Sequence, residues 1–146
     1  MGRAARAWQL RRCIEPMECR DAPAESAPGG LTALETCRRL DPRVPDSASH
    51  LHHRLVALYL CREYEGALET AKHVTRLYPE YPHPYCWLAA ALGQTGQIAE
   101  AREALEKAIA IAPAVFDLYV RHRVPWVRPQ DHAHMLEGLW KAGWEG

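Results

Sequence analysis

Between residues 82 and 113 the apolar positions fall into two stripes. Tyr85, Leu88, Ala89 and Leu92 stand at i, i+3, i+4 and i+7, and Ala101, Leu105 and Ala108 form a second set of the same kind. Each set lies along one face of a helix. Gly96 divides them, which predicts a tight reversal, because glycine enters left-handed backbone without steric cost. Pro82 and Pro84 sit where a first helical turn tolerates a missing N–H, and Pro113 stands where the second helix must stop. The small residues in both stripes predict two antiparallel helices in close approach.

The same text occurs upstream. RLYPEYP at 76–82 echoes RLDPRVP at 39–45; Pro79 recurs as Pro113 and Ala67 as Ala101, both at a spacing of 34 residues. Leu51, Leu55 and Leu58 form the stripe of an earlier first helix, and Tyr64, Ala67 and Ala71 belong to its second. Pro42 and Pro79 are 37 residues apart, which puts the extra residues in the loop VPDSAS. A helix pair of this length cannot bury its apolar face alone and stacks on copies of itself. LTALETCRRLDP at 31–42 reads as the second helix of an incomplete first unit, so residues 31–114 hold about two and a half repeats. The chain looks truncated at its front.

A 34-residue unit of two helices resembles the tetratricopeptide repeat, whose pattern is W-x2-L-G-x2-Y, then A-x3-F, then P. Tyr85, Leu88, Ala89, Leu92, Ala101, Leu105 and Pro113 fill those slots in the best copy, and Ala67 and Pro79 mark them in the copy before it. That earlier copy departs from the pattern at Arg54, where the family has Leu, and at Leu55, where it has Gly. The expected fold is all-α: a short tetratricopeptide-type helix-turn-helix solenoid with a C-terminal capping helix. The resemblance further implies that first helices line a concave groove, formed by Ser49, His52, Val56, Tyr59 and Leu60 from one unit and His83, Cys86, Ala90 and Gln94 from the next. That set lacks the Lys, Arg and Asn of the family's carboxylate clamp, so the expected partner is a protein or peptide bound through a neutral, mildly aromatic groove. Self-association and packing on upstream repeats are further expectations.

Residues 115–146 leave the repeat, with an expected extended connector between Pro125 and Pro129 and then a capping helix. Asp131 is its expected N-cap, Met135, Leu136 and Leu139 its apolar stripe, and Gly143 its C-cap. The stripe should face the second helix of the last unit, with Trp140 and Trp144 over its edge and Glu137 paired with Lys141 on the wet side. The run from Arg39 to Trp144, ending RPQDHAHMLEGLWKAGW, resembles the C-terminal repeat region of bacterial class III adenylate and guanylate cyclases. There a repeat is followed by an R-P-x-D helix ending L-x-K-A-G. The resemblance implies a non-catalytic interaction or regulatory region, or alternatively a fragment of a full-length cyclase whose catalytic domain lies upstream. No catalytic residue of a cyclase maps onto any position here, since nothing in the chain alternates as the strands of that domain would.

Composition narrows the remaining chemistry. Lys plus Arg equals Asp plus Glu at 18 each, so no net field recruits nucleic acid or an anionic membrane. No apolar run reaches the roughly 20 residues that span a bilayer, and the basic start lacks the apolar stretch of a signal peptide, so the chain reads as cytoplasmic. Residues 1–30, rich in Arg, Ala, Pro and Gly, read as a disordered or poorly ordered tail. Five cysteines without a C-x-x-C read as free thiols, with Cys61 and Cys86 as small helix-face residues. Among His50, His52, His53, His132 and His134 only His50 and His53 stand at a ligand spacing, as a single pair without a carboxylate or thiol beside it, so they read as solvated or capping imidazoles, with no cofactor or metal expected. Tyr119, Arg121, Arg123, Trp126 and Arg128 could imitate a nucleotide-stacking surface, but without a phosphate cradle the rings are expected to pack beneath the last helix.

Overall fold

The computed structural model describes residues 35, 36, 39, 40, 47–122 and 129–146. The 1–30 tail, the RLDPRVP proline and the connector residues 123–128, with Arg123, Trp126 and Arg128, lie outside them. Among the described residues the fold is all-α, a helical repeat solenoid. Its helices are α1 (Ala48–Leu60), α2 (Tyr64–Leu77), α3 (His83–Gln94), α4 (Ile98–Ile111), α5 (Pro113–Arg121) and α6 (Pro129–Lys141). Residues 35, 36, 39 and 40 are also helical, in the segment read as an incomplete first unit.

The 34-residue period is literal in the backbone, since α2 and α4 begin and end 34 residues apart. Ala67, Ala71 and Val74 on α2 and Ala101, Leu105 and Ala108 on α4 are buried, as their stripes require. Alanines at the contact let each helix pair close tightly, and α1 packs on α2, α2 on α3 and α3 on α4. Ser47 caps α1, its hydroxyl accepting from the His50 N–H at 3.2 Å. At the departures in α1, Arg54 is exposed while Leu55 is completely buried.

Both turns end in the same cap, displaced by 34 residues. After α3, the Gln97 N–H donates to the Leu92 carbonyl at 3.0 Å, and Gly96 takes φ +77°. After α1, the Glu63 N–H donates to the Leu58 carbonyl at 2.9 Å, and the left-handed residue is Arg62 at φ +63°. The geometry belongs to the repeat, and only one of the two turns has the residue suited to it.

Two expectations for the C-terminal part are corrected. Residues 113–121 are helical in a stretch that was expected to leave the repeat, while the connector expected between Pro125 and Pro129 falls on residues outside those described. Pro113 both ends α4 and opens α5, its fixed φ suiting a first helical position. α5 therefore takes the first-helix place of a third unit, with Phe116 and Val120 buried. The last helix starts at Pro129, so Asp131 lies inside its first turn and is buried instead of capping it.

Candidate functional site

The first helices α1, α3 and α5 share one face, and that face is already filled. α6 lies along α3 instead of on α4, the second helix to which its stripe was assigned. The reason is steric. Gly93 on α3 and Gly138 on α6 meet backbone to backbone, and a Cβ on Gly138 would stand 2.6 Å from the Ala90 carbonyl oxygen and 2.7 Å from the Tyr59 hydroxyl. A Cβ on Gly93 would collide with the Gly138 carbonyl. No such approach is open on α4, whose exposed side carries Glu103, Glu106 and Lys107. Met135, Leu139 and Ala142 are buried in this contact and Leu136 half-buried. Glu137 and Lys141 pair at 2.8 Å on the exposed side. Trp144 meets Phe116 of α5 edge-on, but Trp140 is 57% exposed.

α6 is also read through its backbone. The Tyr59 hydroxyl donates to the His134 carbonyl at 2.8 Å, and the Gln94 side-chain amide donates to the same oxygen at 3.3 Å. The Gln94 carbonyl in turn accepts from Lys141 at 2.9 Å. Tyr64 places its hydroxyl 2.8 Å from His134 Nε2, and His132 Nε2 donates to the Val120 carbonyl at 3.0 Å. α6 thus touches α1, α2, α3 and α5 by polar contacts or rings.

Most of the residues assigned to an open groove are therefore interior. Val56, Tyr59, Leu60, Cys86 and Ala90 are buried; Gln94 is half-covered beneath α6, and His83 is partly buried. Ser49 alone is exposed, its hydroxyl near His53 Nδ1. His52 is buried and its Nδ1 has no hydrogen-bond partner, contrary to the solvated imidazole expected. Its ring lies 5.7 Å from those of Tyr81 and His83, and His83 stacks on Tyr119. The Trp87 indole donates to the Tyr119 hydroxyl at 3.0 Å, so Tyr119 packs against α3 as a partly buried ring. Arg121 pairs with Asp117. His50 is buried as well.

The electrostatics suit a packed, neutral interior. Burial, followed by the nearby His83 and His53, holds His52 well below the ordinary imidazole range. Burial lowers His83 likewise, and burial with the Arg62 guanidinium lowers His134. Burial pushes the Tyr59 and Tyr119 phenols upward. The Cys86 thiol is free, wholly buried and pushed up to about 12, which leaves no thiolate for nucleophilic chemistry. Cys61 is disulfide-bonded, correcting the expectation of a free thiol there. A hollow lined by His83, Cys86, Phe116 and Tyr119 has room for little more than a water molecule. Among the described residues no group of three His, Cys, Asp or Glu side chains could hold a metal ion, and no helix is long and apolar enough to cross a membrane.

Gly93, Gly138, Tyr64 and His134 were not singled out for the site by sequence reasoning. One signal was Gly138 in mid-helix, which costs about 1 kcal/mol against alanine unless a neighbour needs the space. Comparison with known families places the tetratricopeptide repeat on residues 82–115, the unit built by α3 and α4. No curated protein matches the chain.

Proposed function

We propose that this chain is a non-catalytic protein-interaction module of tetratricopeptide type, working as the regulatory C-terminal region associated with a class III nucleotide cyclase. Repeats of this kind generally mediate contacts between proteins and are typically not catalytic. The observation that carries the reading is the shared face of α1, α3 and α5, which receives a helix with both apolar and polar contacts. The cyclase association rests on the R-P-x-D…L-x-K-A-G resemblance. Its support is that the residues of that pattern in α6 and just after it seat the helix: Pro129 opens it, Asp131 and Leu139 are buried, Lys141 reaches Gln94, and Ala142 abuts Gly93. The partner is a protein or peptide; nucleic acid, membrane and cofactors have no part in the proposal.

Site-specific crosslinking tests it. A photoreactive residue at exposed Ser49, on the first-helix face, should trap a defined partner, whereas one at exposed Glu106 on α4 should not. A trapped class III cyclase supports the finer reading. Equal trapping at both positions would remove the assignment of the face, and cyclic nucleotide made from ATP or GTP by the repurified chain would overturn the non-catalytic assignment.

A further inference from the structure

α6 is connected to the rest of the chain yet contacts it as a ligand contacts a receptor. Its side chains lean toward its N-terminus, so the residue at i+4 normally shields the carbonyl at i. Gly138 leaves the His134 carbonyl bare, and the Tyr59 hydroxyl and the Gln94 amide both reach it. Gly93 supplies the matching recess on α3. The face therefore discriminates among helices: it takes one with glycine at the crossing, an unshielded carbonyl four residues earlier, alanine one turn later and a lysine for Gln94. A helix with any side chain at the crossing is rejected by the Ala90 carbonyl.

We infer that the face beneath α6 is a docking site for a partner helix with this chemistry, and that α6 is the tethered occupant the partner displaces. This rests on reading the chain as an interaction module and names the partner that module takes. A tether holds its ligand at an effective concentration on the order of millimolar. Free partner helices must compete with that, so the wild-type face stays closed to weak binders. A second copy's α6 is one such helix, and a dimer by exchange of α6 is one outcome of the test.

The experiment uses the full chain and a fluorescent synthetic peptide of residues 129–146, followed by anisotropy and size-exclusion light scattering. Gly138→Val ejects the chain's own α6 and leaves the face intact, so it should capture the peptide at least tenfold more tightly than wild type. Gly93→Val also ejects α6 but destroys the recess and should not capture it. A peptide carrying Gly138→Val should bind neither. If Gly138→Val does not fold, the pair His134→Ala with Lys141→Ala loosens α6 from its own side and should raise capture at least threefold. An α6-exchanged dimer of wild type at high concentration supports the same site. Equal capture by the Gly93 and Gly138 variants, or no gain in any α6-side variant, overturns it. That result would leave the interaction reading standing, since crosslinking at Ser49 tests it independently.

Discussion

Arg62→Gly should stabilise the protein, although it removes a side chain and adds backbone freedom. Arg62 sits at φ +63°, in the turn position that Gly96 fills one repeat later. Left-handed backbone costs an L-residue about 1–2 kcal/mol, and glycine escapes that cost. Against this, glycine enlarges the unfolded ensemble by about 0.4–1 kcal/mol. The substitution also removes the approach of Arg62 Nη1 to His134 Nε2, which at 3.5 Å is too long and too exposed to weigh much. The net gain is about 0.5–1 kcal/mol, or a rise in Tm of about 1–6 °C by the entropy scaling of a domain this size. The reciprocal change sharpens the test. A Cβ on Gly96 would meet nothing within 4 Å, so Gly96→Ala should lower stability through backbone strain alone, by about 0.5–1 kcal/mol. Differential scanning calorimetry of both variants measures the pair. A lowered Tm for Arg62→Gly together with an unchanged Tm for Gly96→Ala would refute the equivalence of the two turns.

Ala101→Arg, which puts a long cation into a fully buried helix contact, should cost at least about 3 kcal/mol in urea unfolding; an unchanged midpoint would mean that α4 is misregistered. A chain ending at residue 128 should bind a hydrophobic dye, because it forgoes the burial of Met135 and Leu139 at roughly 1.5–3 kcal/mol each and bares the faces of Tyr59 and Ala90; dye fluorescence no higher than that of the full chain would count against it. Stability should fall on acidification below about pH 6.5, because the unfolded chain takes up protons that His52, His83 and His134 refuse when folded. His52→Leu should flatten that slope, and a Tm that rises between pH 7.5 and 5.5 would contradict the sign.

The repeat was legible because its cause is local. Ala67, Ala71, Ala101, Leu105 and Ala108 sit at helical spacing, and a stripe of that kind states which face is buried whatever it is buried against. The seat of α6 was not legible for the opposite reason. Met135 and Leu139 announce an apolar face but not its partner, and α3 and α4 both offered one. The choice fell to two glycines 45 residues apart, a pairing that no periodicity displays. A warning was present in α3, where every residue from Pro84 to Gly93 is buried. YCWLAAALG has no polar side, and a helix without one is surrounded. Reading it as one stripe left its second face free for a groove that does not exist as an open surface. The buried histidines were missed because a His beside a helix start looks alike whether water or Tyr81 lies next to it.

The reach of α6 across three successive first helices also bears on how such a chain can evolve. Repeat arrays ordinarily lengthen by duplication, since a new unit needs only its two neighbours. Here, a unit copied in between α4 and α5 would carry Val120 and Phe116 away from His132 and Trp144, while Tyr59 and Gly93 stayed where they are. The last helix could then satisfy one end of its seat or the other. Growth in that direction is selected against by the very contact that finishes the fold, and variation should accumulate instead in the exposed residues of α2 and α4, where the period of 34 is free to drift.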